Sequence, residues 1–138
     1  MNRSFTGGCA CGAVRYTIAS VPLVMLDCQC RQCQRESGTG HSSHLTFRSE
    51  AVEKSGEASL WRTRGDDGTL KERAFCPRCG CPVYMTFPDQ PDYFVVRAGS
   101  LDDPGLFAPQ FVTWASAGHA WDIHAEGLTK FERMPPPA

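Results

Sequence analysis

The chain has 138 residues, 14 Lys+Arg against 15 Asp+Glu for a net charge of −1, and eight cysteines. That length fits one core rather than two. The charge lacks the basic excess of a phosphate-backbone binder and no apolar run approaches the ~18–20 residues of a membrane span, so neither nucleic acid nor membrane is expected as a partner.

Thirteen glycines and ten prolines cut the chain into short segments, which disfavours long helices. Ala13 to Ile18 alternates as a strand, with Val14, Tyr16 and Ile18 on one face and Arg15 and Thr17 on the other. A short apolar run, Leu23 to Leu26, leads to Asp27-Cys28. Arg31 to Glu36 reads as a helical turn. Strands are predicted at His44 to Arg48, Leu60 to Arg64, Arg73 to Phe75, Val83 to Phe87 and Tyr93 to Ala98. Gln110 to Trp114 reads as the last core strand, and Ser116 to Asp122 as a second helical turn. Turn residues separate them at 54–57, 64–68, 88–91 and 102–105. The expected class is mainly β, with one domain over residues 1–133 and a flexible proline-rich tail at 134–138. Met1 to Phe5 carries no apolar secretory segment, so a cytoplasmic location is expected. In that reducing compartment eight cysteines point to metal rather than disulfides.

The cysteines fall into three groups: Cys9 and Cys11; Cys28, Cys30 and Cys33; Cys76, Cys79 and Cys81. Cys76-Pro77-Arg78-Cys79-Gly80 has the form of a zinc knuckle, in which a tight turn aims two thiolates at one ion and Gly80 supplies left-handed backbone. Cys9-Ala10-Cys11-Gly12 is a second half-site, and two halves make a closed Cys₄ tetrahedron. A redox pair is the competing reading of a single C-x-x-C, and an iron–sulfur cluster lacks a familiar ferredoxin spacing here. The middle group, Cys28-Gln29-Cys30-Arg31-Gln32-Cys33, places three thiols in six residues. Spacing alone leaves two arrangements open: a site closed by Cys81, His41 or His44, or three protein ligands with a free position, as in a catalytic zinc. Cys81 also reads as a small buried apolar residue.

These motifs carry a resemblance. Gly8-Cys9-Ala10-Cys11-Gly12-Ala13-Val14-Arg15-Tyr16 resembles the opening of the glutathione-dependent formaldehyde-activating enzyme family, which includes centromere protein V. Residues Cys28 to Gly38 are similar to its second motif and Phe75 to Gly80 to its third, and Gly99 to Pro104 to its acidic turn. Order and approximate spacing are kept from residue 5 to about residue 133. The resemblance implies a β-tent fold of packed antiparallel sheets around zinc. It implies that Cys9, Cys11, Cys76 and Cys79 hold a structural Zn²⁺, and that Cys28, Cys30 and Cys33 hold a second, substrate-side Zn²⁺, which favours the open arrangement. It further implies carbon–sulfur lyase chemistry, joining glutathione and formaldehyde to S-hydroxymethylglutathione. Two positions depart from the family pattern: Gln29 stands where His is common, and Cys81 where a small hydroxylated residue is common.

Three thiolates on Zn²⁺ carry a net −1 and a fourth, from a small thiol such as glutathione, brings −2, so nearby cations are required. Arg31 and Arg35 are the sequence-local candidates, with Arg15 more distant. His41 and His44 follow the cluster closely enough to be candidate proton donors, although an ordinary role is the better reading of each, His41 in a polar loop and His44 in an alternating strand. The Ser37-Gly38-Thr39-Gly40 loop offers backbone N–H groups to a peptide carboxylate. Trp114, Trp121 and Phe107 read as packing residues, and His119 and His124 as structural ones. The competing function is a non-enzymatic, zinc-stabilised binding or chaperone module; a zinc ribbon would need a basic patch on Arg62, Arg64, Lys71 and Arg73.

Overall fold

The computed structural model describes residues 4–136, so Met1 to Arg3 and the last two residues of the expected tail lie outside the described residues. Alternating apolar side chains build two sheets. The smaller orders β1 (Phe5–Gly8), β2 (Arg15–Ile18) and β5 (Val52–Ser55) as β1-β2-β5, all antiparallel. The larger contains β3 (Val24–Cys28), β4 (Ser42–Arg48), β6 (Ser59–Arg64), β7 (Leu70–Phe75), β8 (Pro82–Thr86), β9 (Tyr93–Arg97), β10 (Phe111–Thr113) and β11 (Thr129–Lys130). Its order is β11-β10-β3-β4-β9-β8-β7-β6.

The expected mainly β fold of packed antiparallel sheets is thus observed, with one departure. β10 runs parallel to both β3 and β11, bringing the C-terminal segment to the edge beside the Cys28 strand. Three strands escape the periodicity argument. β1 is Phe-Thr-Gly-Gly, too poor in side chains to show alternation; β5 is Val-Glu-Lys-Ser, in part read as a turn, and is placed by its ladder with β2; β11 has only two residues, both exposed. The expected helical turn at 116–122 shrinks to a 3-10 turn, Ala115–Ala117.

The core lies between the sheets. Phe5, Tyr16 and Ile18 from the small sheet pack on Leu45, Phe47, Val83, Phe94 and Val96 from the large one. The Phe5 and Phe47 rings meet edge-on at 5.2 Å. β9 is central, flanked by β4 and β8, so Phe94 to Arg97 are all buried and read as a continuous run rather than an alternation. A smaller apolar cluster gathers Leu26, Cys28, Cys30 and Cys33 with Val24, Phe111 and Trp114.

Tyr16 ties the sheets together through a 2.7 Å hydrogen bond between its hydroxyl and Ser100 Oγ. Burial pushes its phenol up to about 12 from the ordinary 10. The fold therefore holds Tyr16 neutral, and that stabilisation is complete below pH 10 and is lost as pH rises from 10 toward 12. We expect the wild type to lose about 1–3 kcal/mol more than Tyr16→Phe across that window. Denaturant melts at several pH values measure it, and identical alkaline slopes for the two proteins would refute the assignment.

Candidate metal centre

Cys9 and Cys11 sit on the turn joining β1 to β2, and Cys76 and Cys79 on the turn joining β7 to β8. Local backbone bonds shape both turns: Cys9 N–H to Val14 O at 3.0 Å, and Gly80 N–H to Cys76 O at 2.8 Å. Gly80 has φ of +78°, the left-handed conformation that the knuckle spacing calls for. The four sulfurs lie within 4.8 Å of one another. Cys9 Sγ is 3.7 Å from Cys11 Sγ, which is 3.7 Å from Cys76 Sγ. Thiolates around a tetrahedral zinc with Zn–S bonds of ~2.3 Å stand about 3.8 Å apart, whereas a disulfide bond is ~2.05 Å. The spacing is that of metal ligands.

Backbone donors already point at these sulfurs. Val14 N–H reaches Cys9 Sγ at 3.3 Å; Arg78 and Cys79 N–H reach Cys76 Sγ at 3.3 and 3.5 Å. N–H groups of Cys81 and Cys11 bring the Cys79 thiol down to about 5. Such donors favour thiolate over thiol, as zinc ligation requires. Cys9 and Cys76 are buried while Cys11 and Cys79 are exposed, so the cluster closes the surface end of the two turns.

The second group converges by a different route. Cys28 ends β3, Cys30 caps helix α1 (Arg31–Ser37) and Cys33 lies in its first turn. Cys30 Sγ accepts from Cys33 N–H at 3.3 Å, so the cap itself curls Cys33 back toward Cys30. The three sulfurs lie within 4.8 Å of one another, and all are at most 9% exposed. Hydrogen bonds from Cys28 and then Cys33 make Cys30 the most readily ionised of the three, while Cys28 and then Cys30 push Cys33 up. Neither Cys81 nor His41 joins this group. Cys81 packs beside the core near the first cluster, and His41 turns to Asp122, 2.9 Å away. His44 comes nearer, with Nε2 4.0 Å from Cys33 Sγ, but that nitrogen accepts from Arg97 Nη1 at 2.5 Å. Burial, reinforced by Arg97 and Arg73, holds His44 well below its ordinary pKa and hence neutral.

The cations near this cluster are not those expected from sequence proximity. Arg15 pairs with Asp102 at the surface, and Arg31 bonds Gln34 at the cavity edge. Arg35 lines a groove beside Trp61 and Phe75 instead. Two strand arginines take the role. Arg73 Nη1 lies 3.0 Å from Glu36 Oε2, and Arg97 meets Glu36 Oε1 through Nη2. Both guanidiniums are at most 8% exposed. Burial works against the charge on Arg73, yet Glu36 and the thiols of Cys33 and Cys30 hold its pKa above the ordinary value. Two guanidiniums against one carboxylate leave one positive charge beside the thiols, and Lys71 adds another from the cavity wall. The Arg62, Arg64, Lys71 and Arg73 patch dissolves accordingly, because Arg73 is buried on Glu36 and Arg62 pairs with Glu72 at 2.6 Å.

A cavity of about 360 Å³ opens over the three thiols. Cys28, Cys30, Cys33, His44, Lys71, Trp114 and Met134 are among its walls. Trp114 takes a left-handed backbone (φ +57°) and packs on the cluster, whereas Trp121 is exposed and Phe107 packs on the main core. The 37–40 loop is spent on the helix end: Gly38 N–H bonds Gln34 O and Thr39 N–H bonds Ser37 Oγ. Among the described residues no helix is long and apolar enough to cross a membrane.

Comparison with known proteins agrees with this architecture. A protein from Halomonas elongata, provisionally named a glutathione-dependent formaldehyde-activating enzyme, is 29% identical over 101 residues, 70% of this chain. The match spans 64% of that relative, so somewhat under two thirds of its length. A crystal structure of a Rhodobacter sphaeroides protein superposes with a TM-score of 0.55 over 91% of this chain and 98% of that one, at 19% identity, a likeness of fold. The family model described as "Glutathione-dependent formaldehyde-activating enzyme" matches residues 4–117, a stretch that holds both thiol clusters. The chain belongs to the glutathione-dependent formaldehyde-activating enzyme family.

Proposed function

We propose that this chain is a zinc-dependent carbon–sulfur lyase that handles the adduct of a glutathione-like thiol and an aldehyde, S-hydroxymethylglutathione being the simplest. The observation that carries the reading is the three-thiol cluster beneath a cavity of about 360 Å³, with no fourth cysteine or histidine grouped with it among the described residues. Cys28, Cys30 and Cys33 would hold the substrate-side zinc, and Cys9, Cys11, Cys76 and Cys79 a structural one. When bound, zinc lowers the pKa of a substrate thiol so that it reacts as thiolate near neutral pH.

The chain's own residues supply the rest. Arg73, Arg97 and Lys71 offset the thiolate charge that a fourth sulfur adds. Leu26, Met85, Val95 and Trp114 wall the cavity with apolar surface, so charge there is poorly screened by water. Lys71 and Arg31, and Asp66 and Asp67, also line the cavity and supply charges opposite in sign to the carboxylates and the ammonium of glutathione. In the condensing direction the sulfur forms a bond to the carbonyl carbon, the C=O π pair moves to oxygen, and the thiol proton ends there.

The test is the rate at which glutathione and formaldehyde exchange with their adduct, followed by NMR against the protein-free rate. We expect the wild type to accelerate exchange and Cys30→Ser to lose more than about 100-fold of that acceleration. A wild-type rate equal to the protein-free rate, at full zinc content, would make the chain a zinc-stabilised binding module instead.

A further inference from the structure

Four side chains unused by that chemistry meet beside the Cys28–Cys30 loop: Asp27, His41, Asp122 and His124. Asp122 lies at the centre. His41 Nδ1 is 2.9 Å from its Oδ1, His124 Nε2 is 3.0 Å from its Oδ2, and Gln29 Nε2 donates to Oδ2 at 3.0 Å. Asp27 stands behind the imidazoles, its Oδ2 3.0 Å from His124 Nδ1 and its Oδ1 3.7 Å from His41 Nε2. Ser43 Oγ donates to Asp27 at 2.6 Å and holds it in place. The side chains of His124, Asp122 and Asp27 are 1%, 7% and 8% exposed, and that of His41 24%.

Each histidine turns one ring nitrogen toward Asp27 and the other toward Asp122. A ring N–H on the Asp27 side leaves a lone pair on His41 Nδ1 and His124 Nε2, both facing the same carboxylate. This is the carboxylate–histidine–metal arrangement, in which an outer acid fixes the tautomer of the ligand. The three inner donor atoms lie within 4.8 Å of one another. An ion with bonds of ~2.1 Å gathers its ligand atoms about 3–3.5 Å apart, so small side-chain adjustments suffice. Charge points the same way: two carboxylates share a buried spot, and a divalent cation with two neutral imidazoles cancels them.

The chain also makes room for the central ligand. A Cβ at Gly40 would fall 2.4 Å from Asp122 Cγ, so any other residue there displaces the carboxylate.

We infer that His41, Asp122 and His124 form a third metal site, with Asp27 hydrogen-bonded to the His124 imidazole and facing that of His41. Nitrogen and oxygen donors select a borderline divalent transition ion such as Zn²⁺, Co²⁺ or Fe²⁺. Through Gln29 the site would brace the loop carrying Cys28 and Cys30.

The full chain refolded with Co²⁺ and freed of loose ion tests this. Cobalt on thiolate gives intense near-ultraviolet charge transfer, while an imidazole–carboxylate site adds bound cobalt without it. We expect Asp122→Asn, His41→Gln and Gly40→Ala each to carry one equivalent less cobalt than wild type, with the charge-transfer absorption per chain unchanged. Equal cobalt in wild type and variants overturns the site. Cobalt K-edge spectra of the wild type decide independently of any variant's folding: imidazole scattering supports the site, and its absence overturns it. Missing charge transfer would instead count against metal at the thiol clusters.

Discussion

Cys76→Ser should cost the chain most of its stability and one equivalent of zinc. Cys76 is fully buried, receives two backbone N–H groups, and lies 3.7 Å from Cys11, 65 residues away in sequence. It thus joins the β1–β2 turn to the β7–β8 turn. Structural zinc contributes roughly 10–16 kcal/mol in finger peptides, against a net stability of about 5–15 kcal/mol for a whole domain. A serine cannot replace the thiolate, and removing this ligand should abolish the cooperative melt followed by circular dichroism at room temperature. Cys30→Ser should behave otherwise, because its cluster joins residues already adjacent on β3 and α1; that variant should keep the fold while losing turnover. If Cys76→Ser melts within a few degrees of wild type at unchanged zinc content, the tetrathiol cluster does not staple the sheets.

Glu36→Gln should destabilise the protein by about 3–5 kcal/mol, the cost of leaving a buried ion-pair network without its partner. Among the described residues, Glu36 is the carboxylate placed between Arg73 and Arg97, whose guanidiniums are 4% and 8% exposed. Glutamine keeps the shape and one oxygen acceptor but removes the charge. Burial already pulls Arg97 below the ordinary arginine pKa, opposed by Glu36, so losing the carboxylate leaves two like charges facing each other. For a chain of this length the loss corresponds to a melting shift of about 10–15 °C. Differential scanning calorimetry of the zinc-loaded proteins measures it. A shift below about 3 °C would mean that water, not Glu36, satisfies the two arginines.

Cysteine spacing makes the three-thiol cluster and each half of the tetrathiol cluster legible, because ligands within six residues or on one tight turn are set by local geometry, whereas the sheets bring the two halves together. The strands at 44–48 and 60–64 are legible from the turn residues around them and their strand-forming side chains, and that at 93–97 from a continuous apolar run. The charges around the second cluster are not. Arg73 looks like the polar face of a two-sided strand, and Arg97 like the polar end of a buried one; only the tertiary placement of Glu36, on α1, shows that both point inward. Nearness in sequence points to Arg31 and Arg35, yet α1 turns one to the cavity rim and the other to a separate groove. His41, Asp122 and His124 are hidden in the same way. Their neighbourhood exists because β10 runs parallel to β3 and returns the 119–124 segment across the sheet edge, a pairing no local pattern encodes.

The two clusters also differ in when a growing chain could complete them. Cys28, Cys30 and Cys33 span one short loop and the first turn of a helix, so their thiols can be gathered while most of the protein is still unmade. Cys9 and Cys11 must wait for Cys76 and Cys79, and closing so long a loop is slow and entropically costly until β4, β8 and β9 are in place to hold the ends together. Assembly is therefore ordered by topology: an early local thiol cluster, then the sheets, then the long-range staple. The cavity comes last, because Trp114 and Met134 complete its wall from the final portion of the chain.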